Sequence, residues 1–338
     1  MAQALAVKYR PQDFKEVCGQ KSVIKVLERQ LQLNIIKHCY LFCGSSGCGK
    51  TTLARIFANK INEGIGEPIE IDAASNSGVE NVRSIIKQAQ ERSIEGKYKI
   101  FIIDECHALS NQAWQAFLKC IEEPPMYTIF MFCTTDPQKI PATITNRVMR
   151  FQINKIDTKL LIDRLLYICK QENVECDYEA IEFIAKVSDG GARDSIASME
   201  KCIDYGPLTI ENVLECLGSY SYEMFFQLVN AIIDDNEQTV LKIIEDVYNT
   251  GSDLKLFIDQ FLNFCLDITK YAIFQSTEMV KMPSSLENEL KLATNFDNAS
   301  KTYCYIIDRL LELKNMLKQD TNIKDTIEVY MLRIARFQ

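Results

Sequence analysis

Residues Gly44 to Thr52 read Gly-Ser-Ser-Gly-Cys-Gly-Lys-Thr-Thr, a G-x-x-x-x-G-K-[ST] loop set directly after the apolar run Cys39-Tyr-Leu-Phe-Cys43. No other feature of the chain constrains its fold as tightly. A strand must deliver the chain into a turn of small residues and a helix must carry it away. Successive backbone N–H groups can then curl around a polyphosphate at the positive end of that helix. Lys50 is expected to reach the outer phosphates, and Thr51 to offer its hydroxyl to Mg²⁺. A second apolar run, Lys99-Ile-Phe-Ile-Ile-Asp104-Glu105, ends in adjacent carboxylates, the usual partner of such a loop.

Around these motifs the apolar pattern alternates between helix and strand. It predicts a helix over 23–33, the strand before the loop, a helix over 50–60, a short strand at 68–71 and a helix begun near Ser77. Further strands are expected at 100–103 and 128–134, with a helix over 111–121 that Pro124-Pro125 stops. Such alternation means a parallel sheet covered on both faces. After about Asn154 only helical pattern remains. Residues 158–218 read as three or four short helices broken at Asp189-Gly190-Gly191 and Gly206-Pro207. Longer helices follow at 254–274, 303–317 and 323–337, with a loop over 276–285.

The charge is uneven. Residues 1–157 hold 20 Lys+Arg against 16 Asp+Glu, whereas 158–338 hold 18 against 30. A basic surface is thus possible in the first part even though the whole chain carries −8. No apolar segment approaches the ~20 residues that span a bilayer, and the N-terminus lacks a signal peptide's pattern, so a cytoplasmic protein is expected. No two of the thirteen cysteines stand at C-x-x-C spacing. They sit mostly in apolar runs, as Cys133, Cys169, Cys202 and Cys265 do, and read as buried reduced thiols. Cys39, Cys43 and Cys48 cluster around the phosphate loop and read as small-residue packing, with sensitivity of the loop to thiol reagents at Cys48 as the alternative.

Further segments fall into one order: Lys8-Tyr-Arg-Pro11, Phe14 to Gln20, Ile71-Asp-Ala-Ala-Ser75, Asp104-Glu-Cys-His107, Leu118-Lys-Cys-Ile-Glu-Glu-Pro-Pro125, Thr134 to Pro141, Asn146-Arg147 and Gly191-Ala-Arg-Asp194. In this the chain resembles the gamma/tau subunits of the bacterial DNA polymerase III clamp loader, which are AAA+ ATPases. The resemblance is dense to residue 218 and thinner to the end. It implies an α/β P-loop AAA+ domain over 1–157, a small helical lid over 158–218 and an all-α collar over 219–338. It also implies an ATP- and Mg²⁺-dependent enzyme working in an oligomeric ring, a pentamer in the family, with a sliding clamp and primer–template DNA as partners.

By position, the resemblance puts Tyr9, Arg10 and Val17 on the adenine side, and Gly47, Cys48, Gly49, Lys50, Thr51 and Thr52 around the phosphates. Thr51 and Asp104 would hold Mg²⁺, Glu105 would act as general base, and Thr135 would position the attacking water beside the otherwise plain neighbour Thr134. Arg193 matches the sensor that reaches the nucleotide from its own lid. Arg147 matches the arginine finger that completes a neighbouring subunit's site, although Asn146 and Val148 replace its usual flanks. Lys119, Lys139, Thr143 and Arg83 match positions for contact with DNA phosphates. His107 reads as a structural or coupling residue, since no metal-ligand set accompanies it. Glu122 and Glu123 read as subunit-interface residues.

There are departures. Asn76-Ser-Gly78 stands where relatives can be basic. Bacterial members carry a four-cysteine zinc module after the phosphate-loop helix, but 51–105 contains no cysteine, so no zinc is expected. The chain also reads as the short form, without the longer form's helicase- and polymerase-binding extension. Two other readings share the phosphate loop. A branch-migration motor would end in a winged helix, for which 219–338 shows no β-hairpin pattern. A non-hydrolysing stator would not need the intact Lys50, Asp104, Glu105 and Arg193.

Overall fold

The computed structural model describes residues 3–93, 95–218, 220–251, 253–277, 279–318 and 322–336. The helices and strands run in the order α1 (Leu5–Lys8), α2 (Lys21–Leu33), β1 (Cys39–Cys43), α3 (Lys50–Ile61), β2 (Ile69–Asp72), α4 (Val79–Ala89), β3 (Lys99–Asp104), α5 (Asn111–Glu122), β4 (Thr128–Thr134), α6 (Ala142–Thr145) and β5 (Met149–Gln152). Helices alone follow: α7 (Thr158–Glu172), α8 (Tyr178–Val187), α9 (Ala192–Tyr205), α10 (Ile210–Cys216), α11 (Tyr222–Ile233), α12 (Glu237–Asn249), α13 (Leu254–Phe274), α14 (Glu287–Ala293), α15 (Ala299–Met316) and α16 (Ile323–Ala335). The expected boundary at Ser219 and the expected helix end at Phe337 lie outside the described residues.

The strands form one parallel sheet in the order β2-β3-β4-β1-β5. Side chains alternate across it, so each strand feeds two cores. Leu41, Phe101, Ile103, Phe130 and Phe132 face α4 and α5. Tyr40, Phe42, Ile100, Ile102 and Met131 face α2 and α3. Burial on both sides explains why β1, β3 and β4 read as unbroken apolar runs. The edge strand β5, Met-Arg-Phe-Gln, buries only Phe151 fully and was not expected from the sequence.

By packing, the chain forms two compact units: Met1–Glu172 with Ser188–Glu200, and Asn173–Val187 with Lys201–Gln338. The first contains the sheet, α7 and the start of α9. In the second, α11 to α16 bury a single core in which Phe225, Phe257, Phe261 and Phe264 pack ring against ring. Asp267, buried on α13, accepts from the Lys281 amide at 2.8 Å and from Lys270 Nζ at 3.0 Å. Lys186 donates to the Met282 carbonyl at 2.8 Å, so two charged side chains hold the backbone at Lys281 and Met282. Among the described residues no helix is long and apolar enough to cross a membrane.

Candidate active site

In parallel sheets of this kind ligands gather at the carboxyl ends of the strands. Here β1 delivers the phosphate loop, β3 delivers Asp104 and Glu105, and β4, lying between them, delivers Thr134 and Thr135. The loop turns with Gly47 at φ +70° and Gly49 at φ +100°, the latter capping α3. Such backbone angles favour glycine. Gly47 is also pressed against the segment that opens α9. Its carbonyl accepts from the Ala192 amide at 3.0 Å, and a Cβ there would lie 3.2 Å from Gly191 Cα.

Lys50, the first residue of α3, is buried, and its ammonium donates to the Ser45 carbonyl at 2.9 Å. Thr51 donates its hydroxyl to Asp104 Oδ2 at 2.7 Å, while the other oxygen of Asp104 accepts the Glu105 amide at 3.0 Å. Glu105 itself sits in the left-handed region at φ +45°, a strained conformation for a non-glycine residue, of the sort that gathers at functional sites. Its carboxylate accepts from the Thr135 hydroxyl at 2.9 Å and lies 3.2 Å from His107 Nδ1. The same His107 nitrogen is 3.2 Å from Thr134 Oγ1, which accepts the Asp136 amide. Thr134 is therefore not merely a neighbour of Thr135, because it helps to orient the histidine that touches Glu105.

Lys50, Thr51, Asp104 and Glu105 open on a cavity of about 380 Å³ that also takes in Tyr9, Arg10, Val17, Thr52 and Arg193, whereas Thr134, Thr135 and His107 are not part of its lining. Arg10 Nε donates to Thr52 Oγ1 at 3.2 Å, and burial, together with the nearby Arg55 charge, pulls its guanidinium below the usual arginine value. Tyr9 lines the cavity with its hydroxyl bonded to Glu172 of α7, an interaction that pushes the phenol up to about 12. Lys8 pairs with the same carboxylate at 2.7 Å, and Arg164 donates to the Tyr9 carbonyl at 2.6 Å.

Other wall residues were not foreseen: the Arg55–Glu70 ion pair, Arg164, Cys18, Ile156 and Ile196. Arg55 carried a signal, since it stands one helical turn beyond Thr51 and shares its face. Arg164 and Ile196 carried none. The packing reading of the cysteines around the loop holds, since Cys39, Cys43 and Cys48 are all buried. The Cys48 thiol is 1% exposed, donates to the Ser45 carbonyl at 2.9 Å and is raised by burial, so it is shielded from thiol reagents rather than exposed to them.

The remaining candidates stand apart from the cavity lining. Arg147 is exposed, paired with Glu122 at 2.8 Å. Lys139 lies in a 3₁₀ turn and pairs with Asp136 at 3.3 Å, and Arg83 on α4 pairs with Glu80 at 2.6 Å. Lys119 and Thr143 are exposed on α5 and α6.

The donor set suits a polyphosphate with a hard cation: turned amides, a buried ammonium, and a hydroxyl already seated on a carboxylate. Among the described residues no group of three or more His, Cys, Asp and Glu side chains forms a metal cage. A cation here would draw on Thr51, Asp104 and oxygens of the substrate.

Residues 67–157 match the family model described as DNA polymerase III, delta subunit, and residues 208–338 match that described as DNA polymerase III subunits gamma and tau domain III. DNA polymerase III subunit gamma of Buchnera aphidicola (subsp. Acyrthosiphon pisum) is 30% identical over 98% of this chain and 98% of its own length. DNA polymerase III subunit tau of Bacillus subtilis is 30% identical over 99% of this chain, and that of Escherichia coli 32% identical over 77%. The match spans only 63% and 44% of those two tau subunits. Among solved structures, the RuvB Holliday junction branch migration motor of Thermotoga maritima aligns with a TM-score of 0.53 and 20% identity, over 72% of this chain and 86% of that one. That likeness shows a shared P-loop AAA+ fold.

Proposed function

The chain belongs to the DNA polymerase III gamma/tau family, and from that premise we propose that it is an ATP-hydrolysing clamp-loader subunit. In this reading it acts with like or related subunits to open a sliding clamp and set it on primer–template DNA. The observation that carries the reading is the continuous array Thr51–Asp104–Glu105–Thr135, whose first three members line a cavity together with Lys50. An array of this kind serves hydrolysis, whereas binding alone would need only the loop.

ATP enters with its phosphates on the amides of Gly47 to Thr52 and its charge against Lys50, while Tyr9, Arg10 and Val17 border the base. Mg²⁺, when bound through Thr51 and Asp104, supplies charge neutralisation on the phosphate oxygens. Glu105 takes the proton of the attacking water. Thr135 donates to that carboxylate and fixes the direction of its other lone pairs. Arg193 contributes positive charge from the same chain, and Arg147 contributes it to the adjacent subunit's site as phosphoryl charge develops.

In this reading residues 1–157 are the motor, 158–218 the lid and 219–338 the collar that orders the ring, a division by family role that differs from the division by packing, in which α7 and the start of α9 belong with the sheet. Lys119, Lys139, Thr143 and Arg83 would meet DNA phosphates, a contact set that tracks backbone rather than sequence. ATP would favour the clamp- and DNA-binding arrangement, and hydrolysis would release both.

Steady-state ATP hydrolysis, with and without primer–template DNA and clamp and beside a Lys50→Ala control, tests this. Strong stimulation by DNA and clamp together supports the loader. Stimulation by junction DNA alone would replace it with a branch-migration motor, and no turnover with every partner present would make the chain a stator.

A further inference from the structure

Arg147 is held by its own chain. Its guanidinium donates through one terminal nitrogen to Glu122 at 2.8 Å and through the other to the Thr143 carbonyl at 2.7 Å. Glu122 is the final residue of α5, which Pro124-Pro125 brings to an end. The last carbonyls of a helix carry partial negative charge, so a carboxylate at that point makes a local seat for a cation. The packing of α5 against α6 puts Arg147, two residues beyond α6, on that seat.

We propose that Glu122 is a positioning residue for Arg147, parking the guanidinium on its own chain until a neighbouring subunit's nucleotide draws it away. This rests on the reading of Arg147 as a residue acting in trans. Both members of the pair are about two-fifths exposed, at 40% and 42%, so water screens them and the contact is weak enough to exchange. A polyphosphate offers several charges against one carboxylate, and an arginine fork suits either partner. The guanidinium therefore leaves Glu122 when phosphate comes within reach and returns when it does not.

The second contact gives the exchange a trigger. The carbonyl that accepts from Arg147 belongs to Thr143, and Thr143 and Lys139 are DNA-contact candidates on one short segment. DNA seated on that segment bears directly on the backbone oxygen that anchors the finger. Parking thus restrains hydrolysis until DNA arrives, through two hydrogen bonds within a single chain.

The test is ATP turnover by the complete assembly, with and without primer–template DNA and clamp, for Glu122→Ala, the isosteric Glu122→Gln, Glu122→Asp and Arg147→Ala. Expected for Glu122→Ala is a basal kcat without DNA raised roughly two- to five-fold, the population ratio an exposed pair can impose, with KM for ATP and the DNA-stimulated rate unchanged. Glu122→Gln should fall between, Glu122→Asp should restore the low basal rate, and Glu122→Ala combined with Arg147→Ala should behave as Arg147→Ala alone. A basal rate that stays the same or falls in both Glu122→Ala and Glu122→Gln overturns the parking role. Arg147→Ala distinguishes that failure from failure of the premise. If it keeps the full stimulated rate, Arg147 does not act in trans; if it loses it, the trans role stands whatever Glu122 does.

Discussion

Replacing Gly47 by alanine should weaken the fold by two separable effects. At φ +70° a side chain costs about 1–2 kcal/mol through its clash with the following carbonyl. The new Cβ also lies 3.2 Å from Gly191 Cα and 3.0 Å from Asp194 Oδ2, closer than ordinary contact. Asp194 can swing aside but the Gly191 backbone cannot, so the segment must retreat and the Ala192–Gly47 hydrogen bond lengthens beyond use. That loss adds about 1 kcal/mol. Gly64 is the control, with φ +78° and nothing within 4 Å of its would-be Cβ, so Gly64→Ala carries the backbone effect alone. At about 2–4 °C per kcal/mol for a unit of this size, Gly64→Ala should lower Tm by about 2–8 °C and Gly47→Ala by about 2–4 °C more. Trp114, the chain's single tryptophan, is 3% exposed between Phe117 and Phe132 on the sheet, so its fluorescence reports unfolding of this unit. Equal falls in the two variants would refute the claim that the loop is braced by the 191–194 segment.

Glu105→Gln should keep ATP binding but lower hydrolysis by about 10²–10⁴, the usual worth of a general base, trapping the clamp-bound state; unchanged turnover would remove Glu105 from that role. Lys8 and Tyr9 hold the Glu172 carboxyl below the usual carboxylate value, so its stabilising effect is complete above about pH 4.3 and is lost as pH falls through the folded value. Amide exchange over residues 5–10, corrected for its intrinsic pH dependence, should therefore quicken only in acid, and Glu172→Gln should produce the same loosening at pH 7. Thiol reagents at pH 7–8 should modify the exposed Cys304 first and leave Cys48 untouched, as peptide mass mapping would show; early labelling of Cys48 with loss of nucleotide binding would contradict its burial.

Much of the fold was legible because the sheet interior imposes unmixed apolar runs. β4 has the expected bounds, Thr128–Thr134, and α13 the expected Leu254–Phe274. Elements whose stability comes from their surroundings escaped notice: β5, an edge strand with alternate polar residues, and α6, a single turn after Pro141. The motif residues of the site were legible for the same reason that they are chemically constrained, since few residue types can cradle a phosphate or carry Mg²⁺. Their partners were not. Tyr9 meets Glu172 across 163 positions and Arg147 meets Glu122 across a helix end, and neither pairing has a local signature. The choice between packing and reactivity at Cys48 was not legible, because reactivity depends on which way a side chain turns, and the loop turns this one inward.

The order of the strands has a last consequence. Because β4 runs between β1 and β3, the strand that delivers the phosphate loop and the strand that delivers the carboxylates lie two spacings apart, about 9–10 Å, an interval that the Thr51 and Asp104 side chains bridge. That interval is a gauge set by backbone hydrogen bonds, which no side-chain substitution can lengthen or shorten by much. The tips that meet ATP, clamp or DNA are free to vary, while the distance between grip and chemistry is fixed. Enlarging a buried residue such as Phe130 or Phe132 should therefore cost stability in the packing against α4 and α5 rather than move grip and chemistry apart.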